Sequence, residues 1–156
     1  MSKKKHKLTL FEIADQDEIE FLIRLNASLD LTIYEIKRTN RLSKYYPVDY
    51  EIYKNGELVL HLELKSRYDL THYVNYDKTL MIGKTKLLSI KERFKKTIII
   101  WQCKTNKYVW FSRFRREFND LPTEYCNNSP VQMIPIEKCK IGFDALIEDL
   151  LDYIEE

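Results

Sequence analysis

Two acids and a lysine in this chain are spaced so that they can do chemistry together. Asp49 closes the run Tyr46-Pro47-Val48-Asp49, and Glu63 and Lys65 lie within Leu62-Glu63-Leu64-Lys65-Ser66. Between the two runs, Asn55-Gly56 marks a hairpin. In an extended strand Leu58, Leu60, Leu62 and Leu64 share one face, and His61, Glu63 and Lys65 share the other. An acid and a lysine thus project from the back of an apolar face. Carboxylates so placed hold divalent ions, and a nearby ammonium lies close to an attacking water or a phosphate, which is the equipment of metal-dependent phosphodiester hydrolysis.

Whether Asp49 joins that face depends on the turn. A two-residue Asn55-Gly56 loop pairs Lys54 with Glu57 and sets Asp49 opposite Leu62, on the wrong face. A type I turn over Tyr53-Lys54-Asn55-Gly56, with Gly56 left-handed in a bulge, pairs Tyr53 with Glu57 and Asp49 with His61. Asp49 then shares a face with Glu63 and Lys65. Asn-Gly suits either turn, so local propensity leaves the choice open. Convergence of the acids requires the bulged register, and that register is the expectation.

With these residues the chain resembles the PD-(D/E)XK nuclease superfamily. Asp49 matches the first acid of the motif, although Val48 separates it from Pro47, and Glu63-Leu64-Lys65 matches the second element. The resemblance implies that Asp49 and Glu63 bind Mg²⁺, with Mn²⁺ as a substitute, and that the Leu64 carbonyl joins the shell. It implies a catalytic role for Lys65. Glu35-Ile36-Lys37 is also an acid-x-lysine, but its nearest upstream acid is Asp30 with no hairpin between, so it reads as structural.

Composition sets the frame. At 156 residues and 44% hydrophobic the chain can bury one core, and it reads as a single domain over 1–156. Three Gly and four Pro argue against a linker-rich protein. No run approaches the ~18 apolar residues of a membrane span, and no apolar segment follows the Lys-rich start, so no membrane association or signal peptide is expected. Cys103, Cys126 and Cys139 are odd in number and widely spaced, as in reduced cytoplasmic thiols, and the family resemblance implies the cytoplasm of a bacterial, archaeal or phage- or virus-infected cell. The net charge of +2 conceals a polarity: from Asp144 onward there are six acids and no Lys or Arg, leaving 26 basic against 18 acidic residues before it. A basic body suits a polyanionic partner such as DNA, and a solvated surface with an acidic terminal helix accounts for the same counts.

The elements that must position the motif follow from periodicity. Met1 to Lys7 reads as a basic tail. Asp15 or Asp17 caps a helix to about Asn26, with Ile19, Phe21, Leu22 and Leu25 apolar. Leu31 to Arg38 alternates as a strand, and Arg38 to Tyr45 is a basic loop beside the motif. A Tyr-rich connection, Tyr68 to Tyr76, follows the hairpin. Lys84 to Lys95 reads as an amphipathic helix with Leu87, Leu88, Ile90 and Phe94 inward. Strands follow at Thr97 to Gln102 and Lys107 to Arg113, then a loop-like stretch from Phe118 to Val131 with Pro122 and Pro130. An extended piece, Gln132 to Ile136, leads to a last helix from Phe143 to Ile154. Its stripe of Phe143, Leu146, Ile147, Leu150, Leu151 and Ile154 must be buried against its own sheet or a partner.

That order, over about Asp17 to Arg113, is the order of a restriction-endonuclease-like core: α/β, with a central mixed sheet flanked by helices. The resemblance then implies a metal-binding acid on the first helix, Glu18 with Glu20 in reserve, and an assisting Lys86 after the motif, with Lys84 as the alternative. A first-turn acid favoured by the helix dipole, and an ordinary surface lysine, are the plain readings of the same residues. Arg38, Arg41, Lys44, Ser66, Arg67, Lys84, Arg113 and Arg115 are the expected DNA contacts, though the cluster Arg113, Arg115 and Arg116 equally suits a solvated loop. His61 reads as a packed or surface histidine, and Trp101 and Trp110 as core. The function so implied is Mg²⁺-dependent endonucleolytic cleavage of DNA. Among small members of the family, Holliday-junction resolvases are similar in size and order of elements, and they imply a two-fold homodimer. A phage or virus nuclease with another branched or duplex target is implied alongside the resolvase. The alternatives are an inactive nuclease-fold binding or assembly protein, and a restriction-type enzyme, for which the chain has no room for a recognition domain.

Overall fold

A computed structural model of the chain describes residues 10–39, 48–67, 69–70, 73–93, 96–104 and 107–156. The basic tail and most of the predicted loop beside the motif, including Arg41 and Lys44, lie outside them. Among the described residues three α-helices, α1 (Leu10–Ser28), α2 (Lys84–Arg93) and α3 (Phe143–Glu155), surround two sheets. The larger sheet is mixed and six-stranded, in the order β1 (Tyr34–Arg38), β2 (Tyr50–Lys54), β3 (Glu57–Arg67), β5 (Thr97–Cys103), β6 (Val109–Arg113), β9 (Lys140–Ile141). A smaller antiparallel sheet has the order β4 (Thr79–Gly83), β8 (Ser129–Pro135), β7 (Thr123–Cys126). The α/β class with a mixed sheet flanked by helices is therefore as the sequence predicts. No helix among the described residues is long and apolar enough to cross a membrane.

Alternation along β3 divides the interior in two. Leu60, Leu62 and Leu64 face Phe21 and Leu25 of α1 and Leu146 and Leu150 of α3, together with Ile98, Ile100 and Phe111. At ~1.5–3 kcal/mol per fully buried Leu, this face is what holds the strand's register. The opposite face of the sheet, through Ile99, Trp101 and Trp110, packs on Leu87 of α2 and on Leu80, Ile82 and Ile134 of the small sheet. Trp101 Nε1 donates to the Met81 carbonyl at 2.9 Å, joining the two sheets. Both tryptophans are core residues.

The hairpin departs from its expected form. The turn is the two-residue one: Asn55 (φ 50°) and Gly56 (φ 83°) are both left-handed, and Lys54 pairs with Glu57. The irregularity lies further along, where Ile52 pairs with Leu60 and Tyr53 with Leu58, leaving Val59 as the extra residue. Beyond it Tyr50 pairs with Leu62, the last pair of the ladder, and Asp49 follows just outside it, its N–H donating to the Leu62 carbonyl at 2.9 Å. Asp49 lies on the side of Glu63 and not opposite His61, which pairs with Glu51. Asp49 thus reaches the Glu63 face by a mid-strand bulge, not by a bulged turn. The apolar face of β3 and the left-handed Asn-Gly pair are both satisfied, and one surplus residue absorbs the difference.

Three further boundaries and two expected inward positions differ from the sequence reading. Helix α1 begins at Leu10, so Asp17 is no cap and Glu18 is not in a first turn. Ile19 and Leu88, expected inward, are 40% and 39% exposed. Each lies well round the helix from the buried residues (Phe21 and Leu25, or Leu87 and Ile90) at ~100° per residue. The first strand starts at Tyr34, because Asp30 accepts hydrogen bonds from Thr32 N–H and Oγ1 and turns the chain. The supposed loop from Phe118 to Val131 contains a 3-10 turn (Arg116–Asp120) and the β7–β8 hairpin. Asn127 and Asn128, at φ 49° and 64°, form its two-residue turn, and Pro130 is the second residue of β8 rather than a breaker.

The apolar stripe of α3 is spent within the chain, with Leu146 and Leu150 buried in the main core. Asp149 on its polar edge is 7% exposed and takes a fork from Arg113, Nε at 3.2 Å and Nη2 at 3.0 Å. Arg113 Nη1 also donates to Glu156 at 2.6 Å, and its guanidinium lies over the Tyr153 ring. Arg113→Ala is expected to destabilise the fold by about 2 kcal/mol, less than the ~3–5 of a fully buried pair because Arg113 is partly solvated. Arg113→Lys should recover only part of this, since lysine has no fork. Urea unfolding measures both, and a loss below about 0.5 kcal/mol for the alanine variant would remove the pair as a support of α3.

Candidate active site

The hairpin and the β3–α2–β5 crossover bring their functional side chains to one end of the sheet. Strands β3 and β5 are parallel, with Lys65 beside Trp101 and Arg67 beside Cys103, so both end at the same edge. A cleft of about 320 Å³ opens there, lined by Asp17, Glu18, Asp49, Glu63, Leu64, Lys65, Ser66, Arg67, Lys86 and Lys104. The region beyond the carboxyl ends of parallel strands is where open α/β sheets form ligand sites.

Glu63 is the centre of the cluster. It is 1% exposed, and its Oε1 accepts from Lys86 Nζ at 2.7 Å, with Lys65 Nζ at 3.4 Å. Its other oxygen, Oε2, is buried with no hydrogen-bond partner among the described residues. Burial pushes the Glu63 carboxyl up to about 7, the charge of Asp49 adds to the rise, and the two lysines oppose it. Burial brings Lys65 down to about 8 against the pull of Glu63. Lys86 is driven down by burial too, yet the charge and hydrogen bond of Glu63 leave it above the ordinary lysine value. Asp49 Oδ2 accepts from Leu64 N–H at 2.7 Å, which fixes the carboxylate against the middle residue of Glu63-Leu64-Lys65.

Helix α1 delivers its acids through Tyr50. The Tyr50 ring packs on Phe21 at 5.8 Å, and its hydroxyl donates to the Glu18 carbonyl at 2.5 Å. One residue beyond Asp49, this tyrosine ties the helix to the start of β2. Glu18 Oε2 is held by Arg38 Nη2 at 3.0 Å, and Asp17 Oδ2 by Lys104 Nζ at 2.5 Å.

The sequence-predicted residues therefore divide. Glu18, Asp49, Glu63, Leu64, Lys65, Ser66, Arg67 and Lys86 meet in the cleft, with Arg38 behind Glu18. Lys84 turns away to Thr123 Oγ1 at 3.0 Å. Arg113 and Arg115 line a different depression with Lys138, Lys140 and Asp149. His61, half as far along β3, is buried beside Glu51 at 4.0 Å, and burial lowers its pKa. Glu35 and Lys37 are exposed on β1, 3.9 Å apart, as a surface pair. Asp17 and Lys104 carry no motif of their own; only a parallel β3–β5 pairing, which the sequence order implies, points to the residue after β5.

The donor set suits a hard cation in one specific way. Among the described residues no three His, Cys, Asp or Glu side chains are gathered as a ready cage. Asp49 and Glu63 are two carboxylates, one with a buried, unpartnered oxygen, beside the Leu64 main chain. Mg²⁺ is commonly bound through one or two carboxylates while keeping several waters, so this set fits it better than Ca²⁺.

No protein-family profile and no curated protein matches the chain. Among solved structures it is similar to D212, a nuclease from a fusselovirus, with a TM-score of 0.56 over 97% of this chain and 98% of that one at 12% identity. The likeness spans both chains nearly end to end and is one of fold.

Proposed function

We propose that this protein is a Mg²⁺-dependent nuclease that hydrolyses phosphodiester bonds in DNA. The observation that carries the reading is the meeting of Asp49, Glu63, Lys65 and Lys86 around a buried carboxylate oxygen that has no partner among the described residues. The nuclease fold of D212 supports the same class of reaction.

Asp49, Glu63 and the Leu64 carbonyl would hold the ion, which when bound supplies Lewis-acid activation of water and of a phosphoryl oxygen. The remaining chemistry falls to this chain's own side chains. Lys86 keeps Glu63 oriented by its 2.7 Å hydrogen bond and favours the ionised carboxylate. Lys65, nearly buried, presents its ammonium to the cleft, where it orients the attacking water or offsets charge developing on the phosphate. Ser66 and Arg67, which line the cleft, would supply donors for the flanking backbone.

The test is a side-by-side cleavage assay on a four-way junction, a flap, a linear duplex and a single strand, with Mg²⁺ or Mn²⁺ and with EDTA. Cleavage of at least one substrate that EDTA abolishes is expected. Cleavage that survives EDTA, or none on any substrate, would sink the reading. The same panel separates a resolvase, which needs a dimer, from a simpler endonuclease, and sedimentation with and without the junction reads the oligomer directly.

A further inference from the structure

The Asp17–Lys104 pair belongs to the cleft but to no part of the chemistry described above. Lys104 stands one residue past β5, and its backbone N–H donates to the Arg67 carbonyl at 2.8 Å. That bond sets the base of the side chain level with the end of β3, beside Ser66 and Arg67. The ammonium then reaches across the cleft to Asp17 of α1 at 2.5 Å, and both residues line the same cavity as Asp49 and Glu63. Neither is fully buried: the Lys104 side chain is 25% exposed and that of Asp17 17%.

Other cleft cations are committed differently. Lys65 and Lys86 converge on the buried Glu63, Arg67 Nη1 donates to the Ser66 carbonyl at 3.0 Å, and Arg38, behind the cleft, is held by Glu18. Lys104, a quarter exposed, is held by a single carboxylate on a different element, away from Glu63. Asp17 Oδ2 holds the ammonium as an ion pair without a hydrogen bond, whereas a phosphate oxygen entering the cleft offers it both, so exchanging one anion for the other leaves the lysine paired throughout. The lysine's long stem allows that exchange with little backbone movement.

We propose that Lys104 is a ligand for a backbone phosphate of the nucleic acid, and that Asp17 is the resident anion this phosphate displaces. The inference rests on the nuclease reading for its substrate class. It makes Lys104 a binding residue outside the metal shell and gives Asp17 a masking role opposite in sign to that of a metal ligand.

The experiment measures binding without cleavage. A fluorescently labelled DNA duplex is titrated in EDTA by fluorescence anisotropy over a series of salt concentrations. The proteins compared are the wild type, Lys104→Met, Lys104→Arg and Asp17→Asn, each with its thermal midpoint. Lys104→Met keeps the apolar stem; it is expected to weaken binding several-fold and to reduce the slope of log affinity against log salt by about 1. Lys104→Arg should bind as the wild type does. Asp17→Asn should bind more tightly than wild type, because it releases the lysine and removes a negative charge. Unchanged affinity and slope in Lys104→Met would overturn the proposal while leaving the nuclease reading intact. Weakening by both Lys104→Met and Asp17→Asn, in step with lowered midpoints, would also overturn it and make the pair a structural clasp. Failure of the wild type to bind DNA at all would overturn both readings.

Discussion

Glu63→Ala is expected to lower Mg²⁺-dependent cleavage by more than ~10²-fold, because residues that only support a metal ligand already cost ~10–100-fold when changed. In the proposed site Glu63 is a ligand itself, and its Oε2, without a partner among the described residues, is the atom lost. The side chain is also the common partner of Lys65 and Lys86, so its removal frees two cations toward the cleft. DNA affinity in EDTA should therefore hold or rise while turnover collapses. Glu63→Gln, of nearly the same shape, keeps the packing and separates loss of charge from loss of volume. Asp49→Ala should behave like Glu63→Ala, and the double variant should be scarcely worse than either, as for residues acting as one unit. Single-turnover cleavage and Mg²⁺ titration by calorimetry read these effects. Cleavage within ten-fold of wild type in Glu63→Gln would remove Glu63 from the metal site.

Lys65→Ala is expected to cost ~10²–10³-fold in single-turnover rate, the range for removing one donor aimed at developing charge. The pH profile should carry the signature of the same cluster. Glu63, raised to about 7, must lose its proton before the site can hold a cation, so activity at low Mg²⁺ should rise with pH through about 7. Because proton and metal compete for that carboxylate, more Mg²⁺ should move this limb to lower pH. Lys65, lowered to about 8, is an ammonium below that pH and a neutral amine above it. If the ammonium acts on the phosphate, activity falls as pH passes about 8, and Lys65→Arg, which stays charged, should lose that alkaline limb while keeping part of the rate. An acid limb indifferent to Mg²⁺ concentration would separate Glu63 from the metal. An alkaline limb kept in Lys65→Arg would assign that ionisation elsewhere.

Much of the architecture was legible in the chain because it follows from short-range patterns. Leu60, Leu62 and Leu64 alternate along β3 and marked its buried face, although Leu58, expected with them, lies beyond the bulge and is 40% exposed. The apolar run Ile98-Ile99-Ile100-Trp101 marked a strand covered on both sides, as β5 is. The spacing of Leu146 and Leu150 marked the inward face of α3. The small sheet was not legible. Pro122 and Pro130 read as breakers, and two asparagines in left-handed conformation gave no glycine signal for the β7–β8 turn. Strand β4 is short, and its stability comes from pairing with β8 far along the chain.

Glu63, Lys65 and Asp49 stand out in the sequence by itself, because residue type and period-two spacing set which side chains share a face of β3. The tertiary structure decided how Asp49 reaches that face. The apolar face of β3 and the Asn55-Gly56 turn ask for registers that differ by one residue, and the chain settles the conflict at Val59. It also decided which of two lysines on α2 turns inward, since Leu87 and Ile90 must be buried and Lys86 then points to Glu63 while Lys84 points to Thr123. Arg113, a phosphate ligand by composition, was taken by Asp149 and Glu156 once α3 had docked. Lys104 and Asp17, distant in sequence and without a motif, became neighbours only because parallel β3 and β5 end at one edge and Tyr50 anchors α1 above it. Spacing along a strand is a local property that sequence carries; the meeting of side chains from different elements depends on how competing burial demands are resolved over the whole fold.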